Sequence, residues 1–405
     1  MGICINKDKL VVIGAGILLT LVGCSLTENS PSVSRAEDTS SAIPWRSQKN
    51  VPPAIGYKIT TITDGLENPW GMAWLNDGSI LITERPGRLR IFRNGKLESQ
   101  AIAGVPEVFA VGQGGLLDVA LHPDFAENRL VYFTYSQGNN RANRTTVARA
   151  VFNGTALENW EEIFAVSPTK PSGQHFGSRI TWLADNTMLV AIGDGGNPPI
   201  QYNGENIRNQ AQNLNSHLGS VVRLNDDGSI PTDNPFVGDA DANDAIWSYG
   251  HRNIQGMTLD PISDRIWSTE HGSRGGDELN LVQAGNNYGW PEVSYSDEYT
   301  GGRVSQISSR PDVPEPKVVW TPSIAPSGLA FYSSDRVAQW QGDLFAGGLV
   351  SQDVRWIDLD EEGKVLGEKS IKIGQRVRDV RQGPDGKLYV LTDAKNGQLI
   401  SIESQ

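Results

Sequence analysis

His175, Arg252, Arg376 and Arg378 are the residues of this chain best suited to polar chemistry on an anion. Each stands at or just ahead of a short apolar stretch, as do Gln113 and Asn253. A guanidinium grips a carboxylate through parallel N–H donors, and an imidazole takes up a proton near neutral pH. If the stretches that follow these residues gather round one axis, three arginines and a histidine meet at one mouth. That reads as an anion site beside a proton acceptor. The other four histidines offer less. None of the five forms an H-E-x-x-H or H-x-H pair, and the only cysteines are Cys4 and Cys24, so no zinc or copper centre is expected. His122, in His-Pro-Asp-Phe, reads as a turn residue, and His217 and His251 as satisfied structural groups. His271 lies in a glycine-rich loop with carboxylates, Glu270 to Glu278, that suits a hard cation such as calcium. A solvated acidic turn is the competing reading of that loop.

The stretches that must carry these residues recur from residue 56 onward. A glycine or small residue opens a short apolar strand, a turn with Asp, Asn or Gly follows, and a second apolar strand ends in Thr, Ser, Asp or Glu. The unit begins near Gly71, Gly115, Gly177, Gly256, Gly328 and Arg378. Period-2 alternation broken by Asp-Gly turns means antiparallel hairpins, and long amphipathic helical patterns are nearly absent. Six such units predict an all-β fold, a six-bladed β-propeller of four-stranded antiparallel blades over residues 56–405. Two smaller β domains split near residues 225–245 are the alternative. In a propeller the innermost strands line a central channel, and the polar residues ahead of them meet at its mouth.

The chain has 405 residues, 35 Lys+Arg against 47 Asp+Glu and a net charge of −12, with no basic stripe for a nucleic acid. Lys7 and Lys9 precede an apolar run from Leu10 to Val22, which reads as a secretory signal. Leu21-Val22-Gly23-Cys24 resembles a bacterial lipobox, which makes residues 1–23 a signal peptide and Cys24 the lipidated residue. Residues 24–55, rich in Ser, Pro and charge, then form a flexible tether. The expected location is outside the cytoplasm, anchored by lipid at the periplasmic face of an outer membrane or at the cell surface.

Five motifs carry a resemblance. Gly112-Gln113-Gly114-Gly115-Leu116-Leu117 with a following His-Pro-Asp-Phe comes first, then Gln174-His175-Phe176-Gly177-Ser178-Arg179. Gly250-His251-Arg252-Asn253-Ile254-Gln255-Gly256 and Asn286-Asn287-Tyr288-Gly289-Trp290-Pro291 follow, and Arg376-Val377-Arg378-Asp379-Val380 with Gly-Pro-Asp-Gly completes the set. In type and order they resemble the soluble quinoprotein sugar dehydrogenases, the aldose sugar dehydrogenase branch of the glucose/sorbosone dehydrogenase family. The match spans about residues 56–405.

The resemblance implies pyrroloquinoline quinone (PQQ) and calcium at the channel mouth, and oxidation of aldose sugars at C1 to lactones. It makes His175 the general base, with hydride passing to the quinone, and Asp194 the carboxylate that orients it. Gln113, Arg252, Asn253 and Ser323 fall on residues around the cofactor, and Arg376 and Arg378 on those that grip its carboxylates. The backbone carbonyls of Gly272 and Ser273 match calcium ligands, and Glu278 and Tyr288 match a second, structural calcium site. The implied partners are a sugar substrate and an electron acceptor, either a quinone or a redox protein. The chain departs from the family at Val350 or Ser351, where many members carry a lysine. That departure favours a non-catalytic, surface-tethered binding propeller as the alternative. A calcium-dependent propeller lactonase is the other, and it would need side-chain carboxylates in the channel rather than loop carbonyls.

Overall fold

The computed structural model describes residues 43–405. The expected signal peptide, Cys24 and the first part of the expected tether lie outside the described residues. Strand alternation shows in Arg88–Arg93, where Leu89 and Ile91 are buried and the residues on either side of them are not, whereas register shifts break it in Leu157–Ala165. The innermost strands, such as Leu116–Leu121 and Pro326–Phe331, are buried on both faces and read as continuous apolar runs.

Among the described residues six sheets of four antiparallel strands follow one another along the chain, as the repeat predicts, beside one two-stranded hairpin at Gln201–Asn206. Their innermost strands are Pro69–Trp74, Leu116–Leu121, Ile180–Trp182, Ile254–Leu259, Pro326–Phe331 and Val377–Gln382, in blades 1 to 6. Each innermost strand packs against the next, and that of blade 6 packs against that of blade 1, so the ring closes. Closure is also made within a sheet. Tyr57–Leu66 pairs antiparallel with the C-terminal strand Gly397–Ser404, from Tyr57 opposite Ser404 to Leu66 opposite Gly397. The first long strand is thus the outer strand of the last blade. Each innermost strand remains the edge of its sheet, and the closed ring covers that edge with the neighbouring innermost strands.

The expected tether ends sooner than residue 55. Trp45–Arg46 runs parallel to Val318–Trp320 as a fifth strand on blade 4, Ala54 is buried, and the Ala54 N–H donates to Ser370 O at 2.8 Å. Composition had hidden this, because one apolar side chain in register suffices to dock a polar segment on an exposed sheet edge.

At the centre, Arg179 lies between Asp118 and Asp379, 3.0 Å from each. Arg381 closes the group on the same two carboxylates at 2.8 and 3.1 Å. Arg179 also stacks on Trp70 and donates to Gln255 O, while a Cβ on Gly328 would fall 2.3 Å from Asp379 Oδ1. Residues of all six blades therefore touch one buried charge cluster.

Candidate functional site

At or just after the end of the second strand, four blades carry an acidic residue: Glu84 and Glu270 end their strands, Asp393 follows directly, and Asp194 stands three residues beyond. Asp194 lies on blade 3, and the loop entering that blade carries His175. The two side chains meet at 2.5 Å, Nδ1 of His175 donating to Asp194 Oδ1. Both are buried. Asp194 Oδ1 also accepts the Gly196 N–H, and Oδ2 accepts the Trp290 indole N–H at 2.8 Å. With Nδ1 donating, the Nε2 lone pair is the one free to take a proton, and it has no hydrogen-bond partner among the described residues. His175 is held there with φ 47°, a left-handed backbone that a non-glycine residue adopts at a cost. Gln113 supports it by accepting the His175 N–H through Oε1 at 2.9 Å.

The charges around the pair decide its protonation. Burial pushes the His175 imidazolium down, Asp194 opposes that and Arg252 adds to it, and the net shift is downward. Burial alone would raise Asp194, but His175 and Arg252 outweigh it and hold the carboxylate below its usual range. A neutral imidazole on an ionised carboxylate is a base ready to act. Arg252 comes from blade 4, its backbone N–H held by Glu270 and its guanidinium donating to His271 O at 3.1 Å. Its Nε is buried without a partner among the described residues. Asn253 Oδ1 accepts the Gly177 N–H, fastening the His175 loop to blade 4.

Arg376 and Arg378 stand on blade 6 and share Asp393 at 3.2 and 3.0 Å. Burial would raise Asp393, but the two arginines bring it down to about 2. Arg378 also donates to Gln255, which itself donates to Gly177 O beyond His175. The two arginines are thus joined, through Asp393 and Gln255, to the segment that carries the base. Arg85 was missed by sequence reasoning. It donates to the carbonyls of Gly112 and Gly114 on either side of Gln113 and feels the charges of Arg378 and Asp393.

The glycine-rich loop after blade 4's second strand is held by Asp277, which accepts the Gly272 N–H at 2.8 Å through Oδ1. Its Oδ2 accepts the Ser323 hydroxyl at 2.6 Å and the N–H groups of Ile324 and Ala325. Among the described residues the carbonyls of Gly272 and Ser273 accept no hydrogen bond, and no group of three His, Cys, Asp or Glu side chains converges on a metal-sized space. Glu278 and Tyr288 lie apart from the base and line one cavity with Val293 and Ser294. Burial, with Glu270 directly opposite in the sheet, pushes the Glu278 carboxyl up to about 8. A half-buried acid facing a second carboxylate suits a cation. The Tyr288 hydroxyl is already spent on Leu281 O and the Gln283 N–H.

The remaining histidines each hold a structural hydrogen bond, although His217 Nε2 is buried without a partner among the described residues. His122 Nδ1 accepts the Asp124 N–H in its turn, His217 Nδ1 accepts the Ser167 N–H, and His251 joins Ser248 to Glu270. His271 Nε2 donates to Pro326 O at 2.6 Å, and burial beside Arg252 pushes its imidazolium down to about 3. Trp290 is buried and bonded to Asp194. At the position of the missing lysine, Val350 is exposed, and the Ser351 hydroxyl is buried without a partner among the described residues. Arg376 reaches the same turn at Leu349 O, 3.4 Å away.

Residues 66–401 match the model of the Glucose / Sorbosone dehydrogenase family. The chain is 40% identical to the aldose sugar dehydrogenase YliI of Escherichia coli strain K12, over 85% of this chain and 92% of that protein. It superposes on the crystal structure of the soluble aldose sugar dehydrogenase from Escherichia coli in the apo-form with a TM-score of 0.81 at 39% identity, covering 86% of this chain and all of that one. The PQQ-bound form of the aldose sugar dehydrogenase from Streptomyces coelicolor matches with a TM-score of 0.69 at 26% identity, over 87% of this chain and 100% of that chain. With its motifs, its ring of six blades and a family match across nearly the whole propeller, the chain belongs to the glucose/sorbosone dehydrogenase family.

Proposed function

We propose that the protein is a PQQ- and calcium-dependent dehydrogenase that oxidises aldose sugars at C1 to lactones, with His175 as general base. The observation that carries this reading is the 2.5 Å His175–Asp194 contact, with Nε2 free, beside Arg252 and joined to Arg378 and Arg376 through Gln255 and Asp393. The residues present fit the cofactor. Buried Nε groups of Arg252 and Arg378 lack partners, and a carboxylated quinone would be met by guanidinium donors at the mouth. When bound, the quinone supplies the two-electron acceptor for the hydrogen on C1.

In this reading His175 Nε2 removes the proton of the C1 hydroxyl while Asp194 stabilises the imidazolium that forms. Arg252 and Asn253 orient the reacting end of the cofactor, and Arg376 and Arg378 hold its anionic end. Ser323 would add a hydroxyl beside it. The unpartnered carbonyls of Gly272 and Ser273 are the donors available to a catalytic calcium, and Glu278 with the Tyr288 carbonyl those available to a structural one. The exposed Val350 favours the binding-propeller alternative, since one charge of the anion cradle is absent. The intact base and its carboxylate argue against it. We also propose that the chain is exported and anchored through a lipid on Cys24, supported by the lipobox-like tetrapeptide. Radiolabelled palmitate should enter the full chain and not a Cys24→Ala variant.

The test of the activity uses protein stripped with a chelator, then titrated with PQQ and calcium while dye reduction by several aldoses is followed. Activity should require both additions and vanish in His175→Ala. Failure of the quinone to bind at high micromolar concentration would move the assignment to a binding propeller.

A further inference from the structure

Lys170 is a buried charge for which the proposed chemistry has no use. Its side chain is 2% exposed, yet no carboxylate lies within ion-pair distance of its ammonium among the described residues. Instead Nζ donates to Ser172 O at 2.5 Å and to Asn143 Oδ1 at 3.1 Å. It also lies 3.6 Å from the centre of the Phe176 ring. Backbone bonds in both directions between Lys170 and Asn143 fix the start of the loop to the third strand of blade 2. The stem then runs against Gly195, the residue after Asp194. A Cβ there would fall 2.5 Å from Lys170 Cδ.

Removing an ammonium from water without a touching counter-charge is costly. Burial lowers the Lys170 ammonium to about 7, against the pull of Asp194. The arrangement places one cation where it touches both ends of the loop that carries His175, at Ser172 and Phe176. The same cation sits beside the residue that follows Asp194.

The geometry points to Lys170 as a positioning residue: it clamps the 170–176 loop so that His175 meets Asp194, and its charge favours the ionised carboxylate and the neutral imidazole. The inference rests on His175 being the base, but part of its test does not. The groups facing His175 are Asp194 from blade 3, Arg252 and His271 from blade 4, and Lys170 from its own loop. Removing one cation from that set favours the imidazolium, so the titration of His175 moves to higher pH.

Lys170→Met keeps the stem and removes the charge and donors; Lys170→Arg keeps the charge. In protein labelled with ¹⁵N-histidine and free of cofactor, the His175 ring should titrate at higher pH in Lys170→Met than in wild type, and near the wild-type midpoint in Lys170→Arg. In loaded enzyme, kcat of Lys170→Met should fall about tenfold or more, with KM for sugar and PQQ affinity within about twofold of wild type. The arginine variant should recover much of that loss. If Lys170→Met does not fold, Lys170→Gln is read in its place. A folded variant with both the His175 titration and kcat of wild type overturns the inference. Wild type that neither binds PQQ nor oxidises sugar would instead defeat the functional reading, and the ring titration would still decide whether Lys170 is coupled to the His175–Asp194 pair.

Discussion

Asp194 is the pivot of the site because its two oxygens do different work. One takes the His175 Nδ1 proton and the other the Trp290 indole proton, so the carboxylate is fixed in plane before any substrate arrives. An amide in its place can turn its NH2 toward Nδ1, which moves the ring proton to Nε2 and removes the base. Asp194→Asn should therefore lower kcat on the order of 10³-fold or more while the fold and PQQ affinity persist, measured by dye reduction and a cofactor titration. The pH dependence has a definite sign. Neutral His175 is the active form, and burial with Arg252 pushes its pKa below the ordinary value, so activity should survive acidification further than a free histidine allows. The acid limb of kcat/KM should fall below about pH 6.5; a limb above that value would contradict the assigned electrostatics.

The strand ends were legible in part. The repeat's rule that a second strand ends in Thr, Ser, Asp or Glu holds at Glu84, at Glu270 and at Thr392, which Asp393 follows, while Asp194 comes three residues after its strand ends at Ala191. Each of these carboxylates ties down a neighbouring element: Glu84 binds Arg88 and Arg90, Asp194 binds His175, Glu270 binds the Arg252 N–H, and Asp393 binds Arg376 and Arg378. The pattern was readable as strand termination, but most of the partners were not: Arg88 and Arg90 lie 4 and 6 residues from Glu84, whereas those of Asp194, Glu270 and Asp393 lie 15 to 19 residues away. Trp290 is 96 residues from Asp194, and Arg85 supports Gln113 from another blade. Nothing in local alternation encodes such pairings. The same holds for the central charges. Asp118, on the innermost strand of blade 2, accepts from Arg179, from Arg381 and from the Ile180 N–H, and has no exposure to water. Removing it leaves Arg179 buried with a single counter-charge. Asp118→Ala should cost about 3–5 kcal/mol, read from the denaturant midpoint. A change below about 1 kcal/mol would mean that Asp379 alone suffices for Arg179.

A ring of six blades has one seam, and the chain closes it twice, through packed innermost strands and through a sheet made from both ends of the propeller. The second closure is the stronger commitment. Leu66 and Leu399 are fully buried there with Leu391, Met72 and Ile82, in a core shared between blades 6 and 1. The segment before it contributes less: a two-residue strand, buried Pro44 and Ala54, Trp45 half-buried against the Trp267–Trp320 core, and an Arg46 guanidinium over the Tyr295 ring. The two parts should therefore separate in truncation. Starting the chain at Gly56 removes an edge strand and exposes little core, so the protein should fold with a loss of about 1–3 kcal/mol and an unchanged His175 environment. Starting it at Glu67 removes the outer strand of blade 6, exposes the Leu399 and Leu391 face, and opens the seam that holds Arg376, Arg378 and Asp393 against blade 1. That form should lose its cooperative transition. Leu399→Ala is the graded version, with an expected cost of about 2–5 kcal/mol from the cavity it leaves. Thermal unfolding of the three proteins decides the matter. A cooperative, stable form starting at Glu67 would show that the innermost strands alone hold the ring, and that the sheet joining the two ends is decoration.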